Sequence, residues 1–466
     1  MRNLTSELTK KVGKEVELKG WVHARRDHGK LIFIDLRDSA GLVQVVFAPQ
    51  QEEQNAYSLA ETLRSEWVIS VKGIVAKRPD GMINENIASG TIEVQVSELK
   101  VLSESETSPF PIDTDGRDIG EEIRMKYRYL DLRRKRMADN IRKRYSVIKY
   151  AREILSDKGF VEIETPILTK STPEGARDYL VPSRLYHGRF YALPQAPQQY
   201  KQLLMVAGFE RYFQIARCFR DEDTRGDRQP EFTQLDLEMS FVEREDVMSL
   251  TEELMTKIVK NIYPEKHIQQ IPFPVLSYSE AKERYGSDKP DLRRDKNDPN
   301  LLAFCWVIDF PFFEKTDKGE WTFTHNPFSS PRAEFMDNLM KKKNIEGIIA
   351  DQYDIVLNGY EIGGGSIRNH KSEAIRKVLE IIGYGEKDIQ ENFGHILEAF
   401  KYGVPPHGGI APGLDRLMMI LQDEPNIREV IAFPKTGDGQ DFMMNAPSEV
   451  SKKQLEELGI EIKKEK

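Results

Sequence analysis

The stretch Gln214 to Phe241, QIARCFRDEDTRGDRQPEFTQLDLEMSF, carries a dense set of residues suited to chemistry on a phosphate. Arg220 and Glu222 stand two apart at the entrance of a polar turn, so on an extended strand they share one face. A planar guanidinium gives two parallel charge-assisted bonds to phosphate oxygens. The neighbouring carboxylate can accept from an exocyclic amino group such as that of adenine. A charged loop of this kind is also what a solvated hairpin tip looks like. Downstream, YDIVLNGYEIGGGSIR carries Asp354 and Glu361, hard carboxylates that suit a magnesium ion arriving with phosphates, or two strand-end acids without metal. Gly363, Gly364 and Gly365 allow backbone to approach a ligand closely. Lys201, in QAPQQYKQLLM, offers the counter-charge a carboxylate needs in a cleft, although on a helix taken alone it reads as surface.

These groups need elements to hold them. Ile215, Ala216 and Phe219 lead into the polar turn, which Gly226 and Pro230 break, and alternation resumes at Phe232, Leu235, Leu237 and Met239. The pattern is strand, loop, strand. Upstream, RYLDLRRKRMADN opens a basic helix in which Met137, Ile141, Tyr145, Ile148 and Leu155 form an apolar stripe ending near Gly159. Its basic face, Arg133 to Arg136 with Arg142 and Lys143, is solvated surface or a contact for nucleic-acid phosphates. Further helices are expected at about 247–262 and from Arg416 onward, where Leu417, Ile420 and Leu421 read as core. Between Glu15 and Leu102 the chain predicts short strands at Val16–Val22, Leu31–Leu36, Leu42–Phe47, Trp67–Ala76 and Ile92–Val101, with a helix over Gln51–Arg64. That order fits a five-stranded barrel of the OB type, a fold that often binds oligonucleotides. Arg25, Arg26 and Lys30 surround the first turn and Phe33 follows; cations beside an aromatic platform suit unstacked bases, whereas Phe33 fits equally as a core residue. A breaker-rich run over 103–121 reads as a hinge. The expected organisation is α+β: an N-terminal barrel over 1–102, the hinge, and a larger domain over 122–466.

Composition bounds the rest. At 466 residues the chain exceeds one ordinary core. Apolar content of 39% and charged content of 31% suit a globular protein, and no apolar run predicts a membrane span. Two cysteines, Cys218 and Cys305, make neither a disulfide framework nor a metal motif. With no signal-peptide pattern in MRNLTSELTKK, a cytoplasmic location is expected. A net charge of −8 requires any nucleic-acid partner to be held by local basic patches.

FRDED…RQPEFTQLD resembles motif 2 of the class II aminoacyl-tRNA synthetases, in the form found in bacterial-type aspartyl-tRNA synthetases, and the resemblance runs over nearly the whole chain. FVEIETPIL, read as a strand ending at Pro166, resembles motif 1, which builds the homodimer interface in that family. GVPPHGGIAPGLDRLMMIL resembles motif 3. The resemblance implies a class II catalytic domain on an antiparallel sheet flanked by helices. It also implies ATP as substrate, Mg2+, L-aspartate and tRNA. By that match Arg220, Glu361 and Arg416 carry the chemistry, and ATP meets Arg220, Glu222, Gln229, Glu361, Gly413 and Arg416. Aspartate meets Glu174, Gln198, Lys201, Arg220, His325 and Arg368, with Glu361 and Asp354 at the metal. Lys201 and Arg368 would surround the substrate's side-chain carboxylate. Asn326 departs from the family's usual second histidine. The inserted domain of bacterial-type relatives is reduced to a short link near 286–300. GWVHARRDHGKLIFIDLRD resembles the anticodon-binding signature, with Arg26, Phe33, Gln44 and Glu93 on the anticodon. His28 and Gly81 stand where enzymes charging only tRNA(Asp) commonly carry leucine and lysine; they point to the form that charges both tRNA(Asp) and tRNA(Asn), against plain readings as a solvated turn residue and an ordinary turn glycine.

Overall fold

The N-terminal alternation of apolar and polar residues closes into a barrel. In the computed structural model, which describes residues 2–49, 54–172 and 175–463, five strands run in the order β1-β2-β3-β5-β4. They are β1 (Glu15–His28), β2 (Leu31–Asp38), β3 (Gly41–Phe47), β4 (Val68–Lys77) and β5 (Ile92–Ser103). The β3–β5 pair is parallel and the other pairs antiparallel. Helix α1 (Gln54–Ala60) sits between β3 and β4; it is shorter than expected at its C-terminal end, and positions 51–53 of the expected helix lie outside the described residues. Ile32, Ile34 and Leu36 point into the barrel core with Val43 and Val45. Side chains alternate along a strand, so Phe33 must face outward; it is half-buried and stands outside that core.

The chain divides into two units, Met1–Ile119 and Gly120–Lys466. The segment after β5 belongs with the first.

The second unit is built on an eight-stranded sheet. Its strands are β6 (Val161–Glu162), β7 (Arg211–Phe219), β8 (Glu231–Ser240), β9 (Val275–Ser277), β10 (Phe304–Ile308), β11 (Gln352–Leu357), β12 (Tyr360–Ile367) and β13 (His407–Pro412). They lie in the order β9-β10-β11-β12-β13-β8-β7-β6. The six central strands are antiparallel, as expected, but each edge adds one parallel pair, β9–β10 and β6–β7, so the sheet is mixed. The motif 1 strand is only two residues long: Ile163 N–H still bonds Phe213 O, and Pro166, three residues on, has no N–H for a ladder.

Helices α2 (Lys135–Asp157), α4 (Arg244–Ile262) and α5 (Leu414–Leu421) cover one face of this sheet. Leu235, Leu237, Tyr353, Ile355, Ile362 and Ile410 from the strands share a core with Val147, Leu254 and Leu417 from the helices. Met137 and Leu155 of the expected stripe of α2 are buried and Ile148 packs against the core, but the buried face differs from that stripe in part. Asn140, Val147 and Ala151 are buried, whereas Tyr145 is 65% exposed. Lys135 and Arg142 stay exposed on its basic face, but other members of that face are engaged within the protein. Arg134 is fully buried against Asp131, and Arg136 bonds Glu424 and Glu429. Lys143 donates to Ile262 O and lies 4.5 Å over the Tyr263 ring. Residues 286–300 form turns and bends between the helix Tyr278–Tyr285 and Leu301, with no helix or strand. Among the described residues no helix is long and apolar enough to cross a membrane.

Candidate active site

The second face of the sheet is polar and floors a cleft of about 630 Å³. Strand β8 explains how. Leu235 and Leu237 point into the core, so Gln234, Asp236 and Glu238 point the other way; Asp236 and Glu238 are wholly buried. Gly409 on β13 stands opposite Glu238 because a Cβ there would lie 2.1 Å from Glu238 Oε2. The triplet Gly363–Gly365 is likewise required by the sheet itself. A Cβ on Gly365 would lie 2.3 Å from Gly409 O, and one on Gly364 would lie 2.9 Å from Asp354 Oδ1.

The cleft gathers the expected residues from distant segments. Helix α3 (Gln198–Val206) supplies Gln198 and Lys201. The loop between β7 and β8 supplies Arg220, Glu222 and Gln229. His325 and Asn326 come from the loop after the short strand Trp321–Phe323. Glu361 comes from β12, with Arg368 just beyond it. Gly413 and Arg416 open α5, where Gly413 N–H bonds Ile362 O. Glu174 lies outside the described residues. Asp354 is not on the cleft wall: it is buried, with Oδ1 accepting from Gln352 and Oδ2 lying 3.3 Å from His325 Nε2.

The cations of the cleft are not alike. Lys201 Nζ lies 2.7 Å from Asp236 Oδ1 and 3.5 Å from Glu238 Oε2. Arg368 spans Glu238 with bonds of 2.9 and 3.1 Å. The two cations thus meet two buried acids, and the expected pair of free counter-charges is a closed, neutral network. Burial pushes the Asp236 carboxyl up in spite of Lys201. Burial acts the same way on Glu238, but Arg368 and Lys201 hold it below the usual carboxylate range. Arg416 bonds Asp227 and Glu361 O, and Arg228 lies 3.5 Å from Glu222. Arg220 alone among the cations lining the described cleft has no carboxylate partner; its guanidinium lies 5.0 Å over the Phe232 ring.

Burial opposes charge on the His325 imidazole, but Asp354 and Glu361 outweigh it and raise its pKa. Burial pushes the Asp354 carboxyl up. Glu361 is held down, against its burial, by Lys289 at 2.9 Å and by Arg416. Asn326 closes a turn, its Oδ1 accepting from Phe328 N–H. Gln229 Oε1 accepts from Lys435 N–H, while its Nε2 is buried in the cleft wall with no partner. A charged carboxylate on the cleft wall fits magnesium, which takes one or two carboxylates alongside phosphate oxygens. Glu361 meets that requirement; Asp354 stands behind His325 and Gln352.

In the barrel, Arg26 on β1 bonds Asp35 at 2.6 and 2.9 Å, and Gln44 Nε2 donates to Glu93 at 2.9 Å. Arg26 pairs across the strands with Phe33, and Asp35 with Gln44. The four residues expected on the anticodon therefore share one outer face. His28 ends β1 at a two-residue turn and is exposed; Gly81 is exposed in the loop before β5, where a Cβ would meet nothing within 4 Å.

Residue reading missed Asp236, Glu238 and Gln195. Gln195 braces the loop before β7 by accepting from Ala176 N–H and donating to Asp178. Both acids alternate with Leu235, Leu237 and Met239 on β8, a pattern that marks them only as facing away from the core.

The model of the family described as tRNA synthetases class II (D, K and N) matches residues 120–437, and that of the OB-fold nucleic acid binding domain matches 16–102. The aspartate–tRNA(Asp/Asn) ligase of Rubrobacter xylanophilus is 44% identical over 575 aligned positions, covering 97% of this chain and 95% of that protein. The aspartate–tRNA ligase of Staphylococcus saprophyticus is 43% identical, covering 97% of each. An alignment of 575 positions against 466 residues means that the relative carries a stretch of more than a hundred residues, in one or more places, that this chain lacks. Among solved structures, asparaginyl-tRNA synthetase from Pyrococcus horikoshii superposes with a TM-score of 0.74 at 25% identity, covering 94% of this chain and 98% of that one. Aspartyl-tRNA synthetase from Entamoeba histolytica superposes at 0.72 with 23% identity, covering 93% and 91%. A barrel of the OB type followed by this sheet and cleft, and matched over nearly its whole length, belongs to the class II tRNA synthetase family of the D, K and N group.

Proposed function

We propose that the cleft joins ATP and L-aspartate as aspartyl-adenylate, releasing pyrophosphate, and that the activated aspartate passes to the terminal ribose of both tRNA(Asp) and tRNA(Asn). Ligation of aspartate to tRNA is the activity in the names of the two relatives above. The observation that carries the chemical reading is the uncommitted Arg220 in a cleft whose other cations are paired.

The substrate α-carboxylate attacks the α-phosphorus, and the bond to the pyrophosphate oxygen breaks. Arg220 bridges carboxylate and phosphate with parallel N–H donors, stabilising charge that builds on the phosphoryl oxygens. Gln229 Nε2, an orphaned donor, and the Arg416 guanidinium serve the nucleotide, with Glu222 accepting from adenine. Magnesium, when bound with ATP, neutralises phosphate charge, and Glu361 would hold it. Asp236 Oδ2 has no partner and suits the substrate ammonium, a role Glu174 would share. Selection against asparagine does not need net positive charge: Lys201 and Arg368 can only donate, so an amide NH2 turned toward them finds no acceptor. A protonated His325 adds a donor on the same side. No side-chain general base is required, because positioning and electrostatics supply the catalysis.

The barrel face of Arg26, Phe33, Gln44 and Glu93 reads the anticodon, with Phe33 as stacking platform. The two anticodons differ in their third base, and the unfilled space at Gly81 supports relaxed recognition there. A two-fold homodimer forms through motif 1, where Val161 on the edge strand β6 and Ile167 and Leu168 in the segment after it are 45%, 40% and 52% exposed. The reaction belongs in the cytoplasm, with ATP and tRNA. The test is aspartylation of the two transcripts in parallel. We expect efficiencies within roughly a factor of ten, since a well-formed base contact is worth about 1–3 kcal/mol. His28→Leu with Gly81→Lys should shift the ratio toward tRNA(Asp). A hundred-fold preference of the unaltered protein for tRNA(Asp) would leave the strict enzyme standing.

A further inference from the structure

Gln198 meets the cleft at one end and a buried polar chain at the other. Its Nε2 lies 3.2 Å from Gln202 Oε1. Gln202 Nε2 lies 3.1 Å from His407 Nε2, and His407 Nδ1 lies 2.8 Å from Pro405 O. Gln202 and His407 are wholly buried, and Gln198 is 8% exposed.

The direction of every bond follows from one atom. A backbone carbonyl can only accept, so His407 Nδ1 carries a proton and donates to Pro405 O. In the neutral ring Nε2 is then an acceptor. Gln202 must donate to it, which turns Gln202 Oε1 toward Gln198. That oxygen can only accept, so Gln198 offers its NH2 inward and presents Oε1 to the cleft. The surroundings keep the ring neutral. Burial lowers its pKa, with Arg368 and His370 acting the same way and only Glu238 and the Pro405 carbonyl opposing. A charged ring would donate from Nε2 and reverse both amides, and the cleft would then meet an NH2.

We propose that His407, acting through Gln202, is a positioning residue that fixes Gln198 with its carbonyl oxygen toward the substrate, where it accepts from the α-ammonium beside Asp236. The proposal rests on the aspartate reading above. It differs from a packing role because only ligands that carry the ammonium should feel it.

The experiment compares aspartate with succinate, which has both carboxylates and no ammonium, in aspartate-dependent ATP–pyrophosphate exchange. His407→Leu removes the acceptor. His407→Gln keeps one, because its Oε1 can take the place of Nε2. Gln202→Met breaks the next link and leaves the histidine in place. For His407→Leu and Gln202→Met the KM for aspartate should rise roughly ten-fold, the loss expected when a buried bond is removed and its partner freed. The KM for ATP and the inhibition constant of succinate should stay within about two-fold, and His407→Gln should recover most of the aspartate affinity. If His407→Leu does not fold, Gln202→Met and His407→Gln still decide. Parallel weakening of succinate and aspartate, or equal loss in the Leu and Gln variants, would overturn the proposal. If the unaltered protein shows no exchange with aspartate, the functional reading fails instead.

Discussion

A single unpaired guanidinium distinguishes the cleft. Arg220→Ala should lower aspartate-dependent exchange at least about a hundred-fold, the usual cost of removing one donor aimed at developing charge. Exchange within a few-fold of the unaltered protein would remove Arg220 from the chemistry. Lys201 and Arg368 have a second duty that their residue types did not reveal. Each neutralises a buried acid, so Lys201→Leu or Arg368→Leu should raise the KM for aspartate far more than that for ATP and also lower stability by about 3–5 kcal/mol, the cost of stranding a buried charge. Normal aspartate affinity in both variants would move the pocket elsewhere. The cations were legible in the sequence through the family resemblance. Their partners were not, since Asp236 and Glu238 on a strand look like its solvent face until another element closes a cleft over them.

At the level of elements, alternation served well wherever one face was dry. Four of the five barrel strands fall within two residues of the pattern, β1 runs on past the expected Val22 to His28, and the inward Ile32, Ile34 and Leu36 decide the side of Phe33. The charged run leading into helix α2 misled for a physical reason: such residues read as surface, yet here several of them knit segments together. Asp131 receives bonds from Arg124, Arg128 and Arg134, and Arg124 also bonds Glu429. This ties 124–134 to the segment after α5. Burial alone would raise the Asp131 carboxyl, but Arg124 and Arg128 hold it below its usual value. A lowered carboxylate contributes stability that is full above its unfolded value of about 4 and is lost as pH falls through its folded value. Asp131→Ala should cost about 3–5 kcal/mol in denaturant unfolding at neutral pH. Asp131→Asn should flatten the acid limb of the stability profile, and an unchanged limb would show that the network carries little of it.

At the level of the molecule, a short link over 286–300 without helix or strand joins the helix Tyr278–Tyr285 to Leu301, and Lys289 from it sits on Glu361. The exposed motif 1 edge predicts a dimer by light scattering at micromolar concentration; a monomer there would contradict the two-fold interface. The central claim is that this cleft selects aspartate within a family whose members also take lysine and asparagine. Its most direct test is amino-acid-dependent exchange of pyrophosphate into ATP, run side by side with aspartate, asparagine and lysine. The donor-only pair Lys201 and Arg368 predicts exchange with aspartate and none above background with the other two. Exchange driven by asparagine or lysine at a rate comparable to that with aspartate would contradict it.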